Sequence, residues 1–396
     1  MIEVSTDIKN FIAEHRNDDI KELALRLNKY NVETREFILN QISGYQSLKK
    51  KHSTLASNSN LLYPKHLSVE QSSSEETANY KQEIIDAGED MIDLTGGFGI
   101  DFIHLSEKFQ RSAYIERNEE LCLIAKHNFS FLLHNNYKII NGDSVNFLSN
   151  ERTEHKYSLI YADPARRDEA GNKVFLIEDC TPNIVEQQDL LYNKAEQFLI
   201  KFSPMLDITN ALSKLKFIDE IHIVSVNSEC KELLLKSNKT HNPDTKYFCT
   251  DIAKGKKNCF SFTDSEKNKS DATYANALKK YLYEPNSSVM KSGAFSLISE
   301  RFGIEKLALN TQLYTSDTLI SDFPGRSFVI NKTFKPSQKE LKTEFSDIGK
   351  ANITVRNYPL DVASIRKKYK IKDGGSTYVF ATCINENNTF IFCEKI

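Results

Sequence analysis

Four acidic residues close four short apolar runs: Asp93, Glu116, Asp143 and Asp163. Carboxylates at such positions can hold hydroxyl or amino groups, and one of them can position a reacting nucleophile. Asp93 opens the run Asp93-Leu94-Thr95-Gly96-Gly97-Phe98-Gly99, whose last four residues include three glycines. Such a turn brings backbone N–H groups close to a ligand. An acid at its mouth suits a ligand with an amino group rather than a pyrophosphate. The dinucleotide fingerprint is incomplete, because Phe102 holds the place of its last glycine. Glu116 stands 23 residues beyond Asp93, where α/β folds bind ribose hydroxyls. Asp163 leads Asp163-Pro164-Ala165-Arg166-Arg167, which joins a carboxylate to two guanidinium groups.

The elements that must position these residues read as alternating strands and helices. Strands are expected at 91–93, 112–116, 137–140 and 157–162, with a helix after the glycine turn and another over 121–133. In a parallel sheet all four acids then lie on the carboxyl edge, where open α/β sheets bind ligands. Further on, the pattern predicts a helix over 184–198, a fifth strand at 202–208 and a sixth at 218–226. A seventh is drawn from 245–250 and 260–263. Residues 263–271 are the most polar stretch and a candidate domain boundary. Before the sheet, residues 1–88 carry apolar residues at helical spacing over 7–11, 20–27 and 34–42, as a small helical lobe would. Ser74 and Thr77 sit well as helix caps in the polar segment that follows.

This ordered set resembles class I AdoMet-dependent methyltransferases over residues 70–230. The resemblance implies an α/β, Rossmann-like seven-stranded sheet. It also implies a cofactor set of Asp93, Thr95, Gly96, Gly97, Gly99, Glu116 and Asp143. In that superfamily the glycine turn holds the methionine part, the second acid the ribose, and the third lies near the adenine. The fourth strand end carries the catalytic loop, here Asp163, Pro164 and Arg166. The wording of the glycine turn with Asp163-Pro164-Ala165-Arg166-Arg167 is closer still to one bacterial group with a ferredoxin-like insert and a THUMP-like C-terminal domain. The domains expected are a helical lobe (1–88), a methyltransferase domain (89–270), a ferredoxin-like module (271–326) and a THUMP-like domain (327–396). The segment before the first strand has a counterpart in trimethylguanosine synthase-like enzymes. It reads either as a linker or as a strap across the cofactor mouth.

The fourth-strand loop narrows the acceptor. Amino-group methyltransferases usually carry Asp/Asn-Pro-Pro-aromatic there, whereas Ala165 and Arg166 stand in the last two places. Asp163 can still accept a hydrogen bond from an amine. Arg166 can stack on a base or bind phosphate, or pair with Asp168 or Glu169. Uracil-C5 methyltransferases attack with a cysteine beside the fifth strand, but residues 201–207 contain none. Cys180 follows Glu178-Asp179, and neighbouring acids blunt a thiol. A nitrogen or a hydroxyl is therefore the expected target.

Between Asn331 and Ile396 there are 12 Lys/Arg against 7 Asp/Glu, a local excess of +5 in a chain of net charge −2. Arg356, Arg366, Lys367, Lys368 and Lys370 are interleaved with tyrosines, a pattern that fits phosphate contact and base stacking. The THUMP-like resemblance implies RNA as partner, tRNA first and rRNA second. The alternatives are a methyltransferase of a small molecule or protein, and a catalytically silent RNA-binding protein. At 396 residues, 40% apolar and 27% charged, the composition is that of a globular multidomain protein. Its seven cysteines lack zinc spacing, so no metal is expected. No run nears the ~18 apolar residues of a membrane span, and the N-terminus is polar, which points to the cytoplasm. The oligomeric state is not legible.

Overall fold

The computed structural model describes residues 5–151, 156–165, 176–238 and 240–396. They form two compact units. One holds the chain up to Glu220 together with Glu232–Pro243, and the other holds Ile221–Lys231 with Asp244–Ile396.

The first unit begins with six helices: α1 Thr6–His15, α2 Ile20–Arg26, α3 Val32–Lys51, α4 Ser53–Ala56, α5 His66–Gln71 and α6 Glu75–Ile84. Side chains of Ser5, Asp19, Asn31 and Ser74 accept first-turn N–H groups of α1, α2, α3 and α6. Those donors have no partner inside a helix, so the caps fix where each one starts. Leu23, Leu27, Ile38 and Ile42 build one small core of the lobe. A second core joins Leu48, Leu61, Tyr63, Val69 and Ala78 to Phe98 and Ile100 of the glycine-turn segment. Two buried amides pin the connection. Gln41 donates to the Tyr63 carbonyl (2.8 Å) and accepts its N–H (2.9 Å), and Asn128 does the same with Leu62 at 2.9 Å each. Buried amides are tolerated when both ends are bonded in this way.

The sheet elements follow as β1 Gly88–Asp93, α7 Ile100–Ser106, β2 Phe109–Glu116, α8 Glu119–Leu132, β3 Asn136–Asn141, α9 Ser144–Asn150 and β4 Leu159–Ala162. After them come α10 Ile184–Lys194, β5 Phe198–Phe202, α11 Ile208–Lys214, β6 Glu220–Val226, β7 Glu229–Ser237, β8 Lys246–Ala253 and β9 Lys256–Thr263. Within the first unit the order is β3-β2-β1-β4-β5-β7. Strands β1 to β5 pair in parallel, while β7 runs antiparallel to β5. Asp93 is in register with both Tyr114 and Tyr161, so β2 and β4 run one or two residues past β1 at the same edge of the sheet.

Three sequence expectations shift. The helix expected to reach 198 stops at Lys194, and the fifth strand is Phe198–Phe202 rather than 202–208. All five of its residues are buried, as in a central strand covered on both faces. Such a continuous apolar run cannot be told from helix by period alone. The seventh strand is Glu229–Ser237, while 245–250 and 260–263 belong to β8 and β9. Its Glu-Cys-Lys-Glu-Leu-Leu-Leu wording favours helix locally, and burial in the sheet overrides that preference. Residues 263–271 hold α12 Asp264–Lys269, started by a capping box between Thr263 and Glu266.

Beyond α12 a second sheet is built from β10 Tyr281–Pro285, α13 Ser287–Ser292, α14 Phe295–Phe302, β11 Glu305–Ala308, β12 Thr311–Ser316 and β13 Gly325–Phe334. The chain closes with α15 Glu340–Ile348, β14 Lys350–Arg356, α16 Val362–Tyr369, β15 Lys372–Ile384 and β16 Asn387–Lys395. The order is β11-β12-β10-β13-β16-β15-β14, one continuous sheet. Its core mixes Leu282, Leu307 and Leu313 with Phe328, Phe380 and Ile391. Among the described residues no helix is long and apolar enough to cross a membrane.

Candidate active site

The glycine turn bridges β1 and α7. Gly97 has φ +60 and Gly99 φ +86, backbone angles that side-chain-bearing residues rarely adopt. The three glycines serve different ends. A Cβ on Gly96 would lie 2.3 Å from the Tyr114 ring, and one on Gly99 2.8 Å from the Phe129 ring. Those two glycines let the turn sit on a cluster in which Phe102 stacks on Phe129 and Tyr114 meets both rings edge-on. At Gly97 the one atom within 4 Å of such a Cβ is the Thr95 carbonyl oxygen at 3.6 Å, an ordinary contact, so the backbone angle rather than crowding calls for glycine here. The Tyr114 hydroxyl donates to the Gly97 carbonyl (2.5 Å), and the Gly97 N–H donates to Glu116 Oε2 (2.8 Å).

Glu116 ends β2 half-buried. Its Oε1 accepts the Asn118 N–H at 2.7 Å, so each oxygen holds one backbone donor and keeps capacity for another. Asp143 caps α9 through the Asn146 N–H (2.8 Å) and pairs with Arg117, a residue the sequence did not single out. The Asn146 N–H and the Arg117 guanidinium hold the Asp143 carboxyl below its usual range.

Asp93 is buried at the tip of β1. Its Oδ1 accepts both the Thr95 N–H (2.8 Å) and the Thr95 hydroxyl (3.3 Å). The Thr95 hydroxyl oxygen in turn accepts the Asp163 N–H at 2.6 Å. Thr95 thus ties the ends of β1 and β4 together. Burial pushes the Asp93 carboxyl up to about 8, with the Asp101 and Asp163 carboxylates adding to the shift against the Thr95 hydrogen bonds.

Behind Asp163 lies a charge cluster that sequence reasoning missed. Lys201 on β5 reaches Asp163 Oδ2 (2.6 Å) and Asp101 Oδ2 (3.2 Å). Lys81 on α6 reaches Asp101 Oδ1 (3.2 Å) and Glu232 on β7. The Tyr161 hydroxyl donates to Asp101 (2.6 Å), and the Ser73 hydroxyl lies between both lysines and both carboxylates. Burial alone would raise Asp101, but Lys201 and Lys81 outweigh it and hold the carboxyl far below the usual range. Burial likewise opposes charge on Lys201, and Asp101, Asp163 and Glu232 overcome it. The available signal was a lysine inside the apolar run Phe198-Leu199-Ile200-Lys201-Phe202. Pro164 is buried, and Ala165 pairs with Thr181 through two backbone hydrogen bonds. Arg166 and Arg167 lie outside the described residues. Cys180 is buried.

The C-terminal basic residues separate into two kinds. Arg356 is committed to the buried Glu284, which also holds Arg326, and Arg366 pairs with Asp373. Lys367, Lys368 and Lys370 are exposed at the end of α16. Among the described residues no cluster of three metal-ligating side chains occurs.

The strand order, glycine turn and strand-end acids define a class I methyltransferase fold. The chain is 33% identical to a candidate methyltransferase from Porphyromonas gingivalis W83 over 98% of this chain and 97% of that one, with a TM-score of 0.88. It belongs to that protein's family, class I AdoMet-dependent methyltransferases with ferredoxin-like and THUMP-like modules. Residues 281–324 match the ferredoxin-like domain family and 325–395 the THUMP domain-like family. An rRNA methylase from Streptococcus thermophilus aligns at 13% identity over 42% of this chain and 95% of that one, TM-score 0.32. TrmK from M. capricolum, solved with S-adenosyl-homocysteine, aligns at 16% over 42% of this chain and 68% of that one, TM-score 0.31. No curated protein sequence matches the chain.

Proposed function

We propose that the chain is an AdoMet-dependent methyltransferase that modifies RNA, tRNA or rRNA, at a nitrogen or hydroxyl. The observation that carries the cofactor reading is the juxtaposition of Asp93, the Gly97 turn, Glu116 and Asp163 at one sheet edge, tied together through Thr95 and the Gly97 N–H. These residues fit the cofactor. Gly97 shapes the positive-φ turn, Asp93 suits its ammonium, and Glu116 retains acceptor capacity for two ribose hydroxyls. Asp143 and Arg117 lie at the next strand end, on the adenine side of the proposed site. When bound, AdoMet supplies an already activated methyl group, so positioning and desolvation of the acceptor are the protein's main tasks. Asp163 is the residue proposed to hold that acceptor. Glu116→Ala should weaken AdoMet at least about tenfold, since removing each charge-assisted hydrogen bond costs roughly 1.5–3 kcal/mol. Calorimetric titration reads this directly, and an unchanged affinity would remove Glu116 from the site.

RNA is supported by the local +5 excess, the THUMP-like match and the exposed lysines of α16. Replacing Lys367, Lys368 and Lys370 by alanine should flatten the slope of log binding constant against log salt by about 2, at roughly 0.7 per phosphate contact. Cofactor affinity should stay the same. Arg356 and Arg366 are left out of this set because carboxylates already hold them. Truncation is a poorer test, since β13 pairs with β10 and cutting at Gly325 would open the second sheet. An unchanged salt slope would bring the small-molecule acceptor forward.

A further inference from the structure

Five charged side chains from five elements form one line: Glu232 (β7), Lys81 (α6), Asp101 (α7), Lys201 (β5) and Asp163 at the end of β4. Each touches the next through the ion pairs given above. Four of them have side chains 10% exposed or less, whereas Asp163 is 39% exposed. The line is therefore sealed at one end and open at the other. It holds three carboxylates and two ammonium groups, so one negative charge is unmatched within it, and the open member is a carboxylate.

Buried ion pairs seldom out-stabilise well-packed apolar side chains of the same size. A stability role alone does not account for four linked ion pairs beside a strand end that bears the candidate acceptor residue. Fixed geometry does. Lys201 occupies Asp163 Oδ2, and the Asp163 N–H is held by Thr95, so side chain and backbone are both anchored. Lys201 is itself fixed by Asp101 and by the Ser73 hydroxyl at 3.2 Å. We propose that Lys201 is the positioning residue of Asp163, fixing one carboxylate oxygen so that the other is presented, ionised, to an acceptor that donates an N–H or O–H hydrogen bond. This inference rests on the methyltransferase reading above. It extends the site back to Ser73 and Lys81, outside the sheet.

The groups facing Asp163 are Lys201 from β5, Asp101 from α7, Asp93 and Thr95 from β1 and its turn, and Glu232 from β7, with Lys81 of α6 behind Asp101. Protein surrounds most of Asp163 although solvent reaches part of it, and this burial raises its pKa, with Lys201 opposing the rise. Removing Lys201 should raise it further, and removing Asp101 should lower it.

The test is a carbon-13 carboxyl titration of the full-length chain without cofactor, with the Asp163 resonance assigned from Asp163→Asn. Lys201→Met should move the Asp163 midpoint up by about one to two units, the effect of removing an adjacent opposite charge. Lys201→Arg should keep it near the parent value, and Asp101→Asn should move it down. If Lys201→Met does not fold, Lys201→Met/Asp101→Asn removes one charge of each sign. Its midpoint should still lie above the parent's, because Lys201 touches Asp163 directly and Asp101 does not. An unmoved midpoint, or shifts of the same sign in Lys201→Met and Asp101→Asn, would overturn the proposal. In methyl transfer, the acidic limb of the pH–rate profile should move up in Lys201→Met with the KM for RNA unchanged. Absence of transfer by the parent would defeat the methyltransferase reading instead, while the titration still decides the role of Lys201.

Discussion

Asp93→Asn should abolish AdoMet binding and make the free protein more heat-stable above pH 8. Both effects come from one buried carboxyl. Its folded pKa is raised to about 8, chiefly by burial, against about 4 in an unfolded chain. Folding therefore favours the neutral acid. The stability this contributes is fully present below about pH 4 and is lost as pH rises through about 8. Above that point the free protein carries a buried carboxylate facing Asp101 and Asp163. Asparagine cannot ionise, yet its carbonyl can still accept the Thr95 N–H. The gain should be larger at pH 8.5 than at pH 6 by on the order of 2 kcal/mol, a difference of a few degrees in Tm. The same substitution removes the carboxyl proposed to meet the cofactor's ammonium. Thermal melts at the two pH values with and without AdoMet check both. A variant less stable than its parent at pH 8.5 would show that Asp93 is not a buried acid under strain.

Lys81→Met should be among the most destabilising single changes outside the apolar cores. Lys81 is fully buried and pairs with both Asp101 and Glu232. Its removal leaves three carboxylates around the single ammonium of Lys201. Breaking a buried pair from one side typically costs about 3–5 kcal/mol, and Tm should fall by roughly 10 °C. Lys81→Met combined with Glu232→Met removes one charge of each sign and should recover most of that stability. Asp101 adds an acid limb. Its carboxyl is held far below the usual range, so its contribution is present above about pH 4 and fades as pH falls through the folded pKa. Chemical denaturation of parent, single and double variants measures the coupling. A double variant as unstable as the single one would mean that packing of the Lys81 stem, rather than charge, dominates.

The features legible in the sequence were local. The glycine turn, the first four strands and the acids that end them announce themselves through short apolar runs and turn residues, and Ser74 was legible as a cap. Three kinds of feature were not. A glycine in the sequence does not say whether it clears space for a ring, as Gly96 does for Tyr114, or serves a positive-φ turn, as Gly97 does. A charged residue does not reveal its partner. Arg356 reads as surface charge in the sequence, yet Glu284, 72 residues away, holds it in the fold. Ser73, Lys81, Asp101, Lys201 and Glu232 are scattered along the chain and read as ordinary polar positions until the sheet brings them behind Asp163. The fifth strand was misplaced because its continuous apolar run carries no period, and the seventh because sheet burial overrode a local preference for helix.

The most direct measurement is transfer of labelled methyl groups from AdoMet to fractionated RNA by the full-length protein, beside Gly97→Val and Asp163→Ala. The parent should label tRNA or rRNA. Gly97→Val should lose both cofactor binding and label, because a side chain there strains the positive-φ turn. Asp163→Ala should keep cofactor and RNA binding while losing the label. A parent that binds AdoMet yet labels no RNA fraction, and instead methylates a small molecule or protein from the same extract, would contradict the RNA reading.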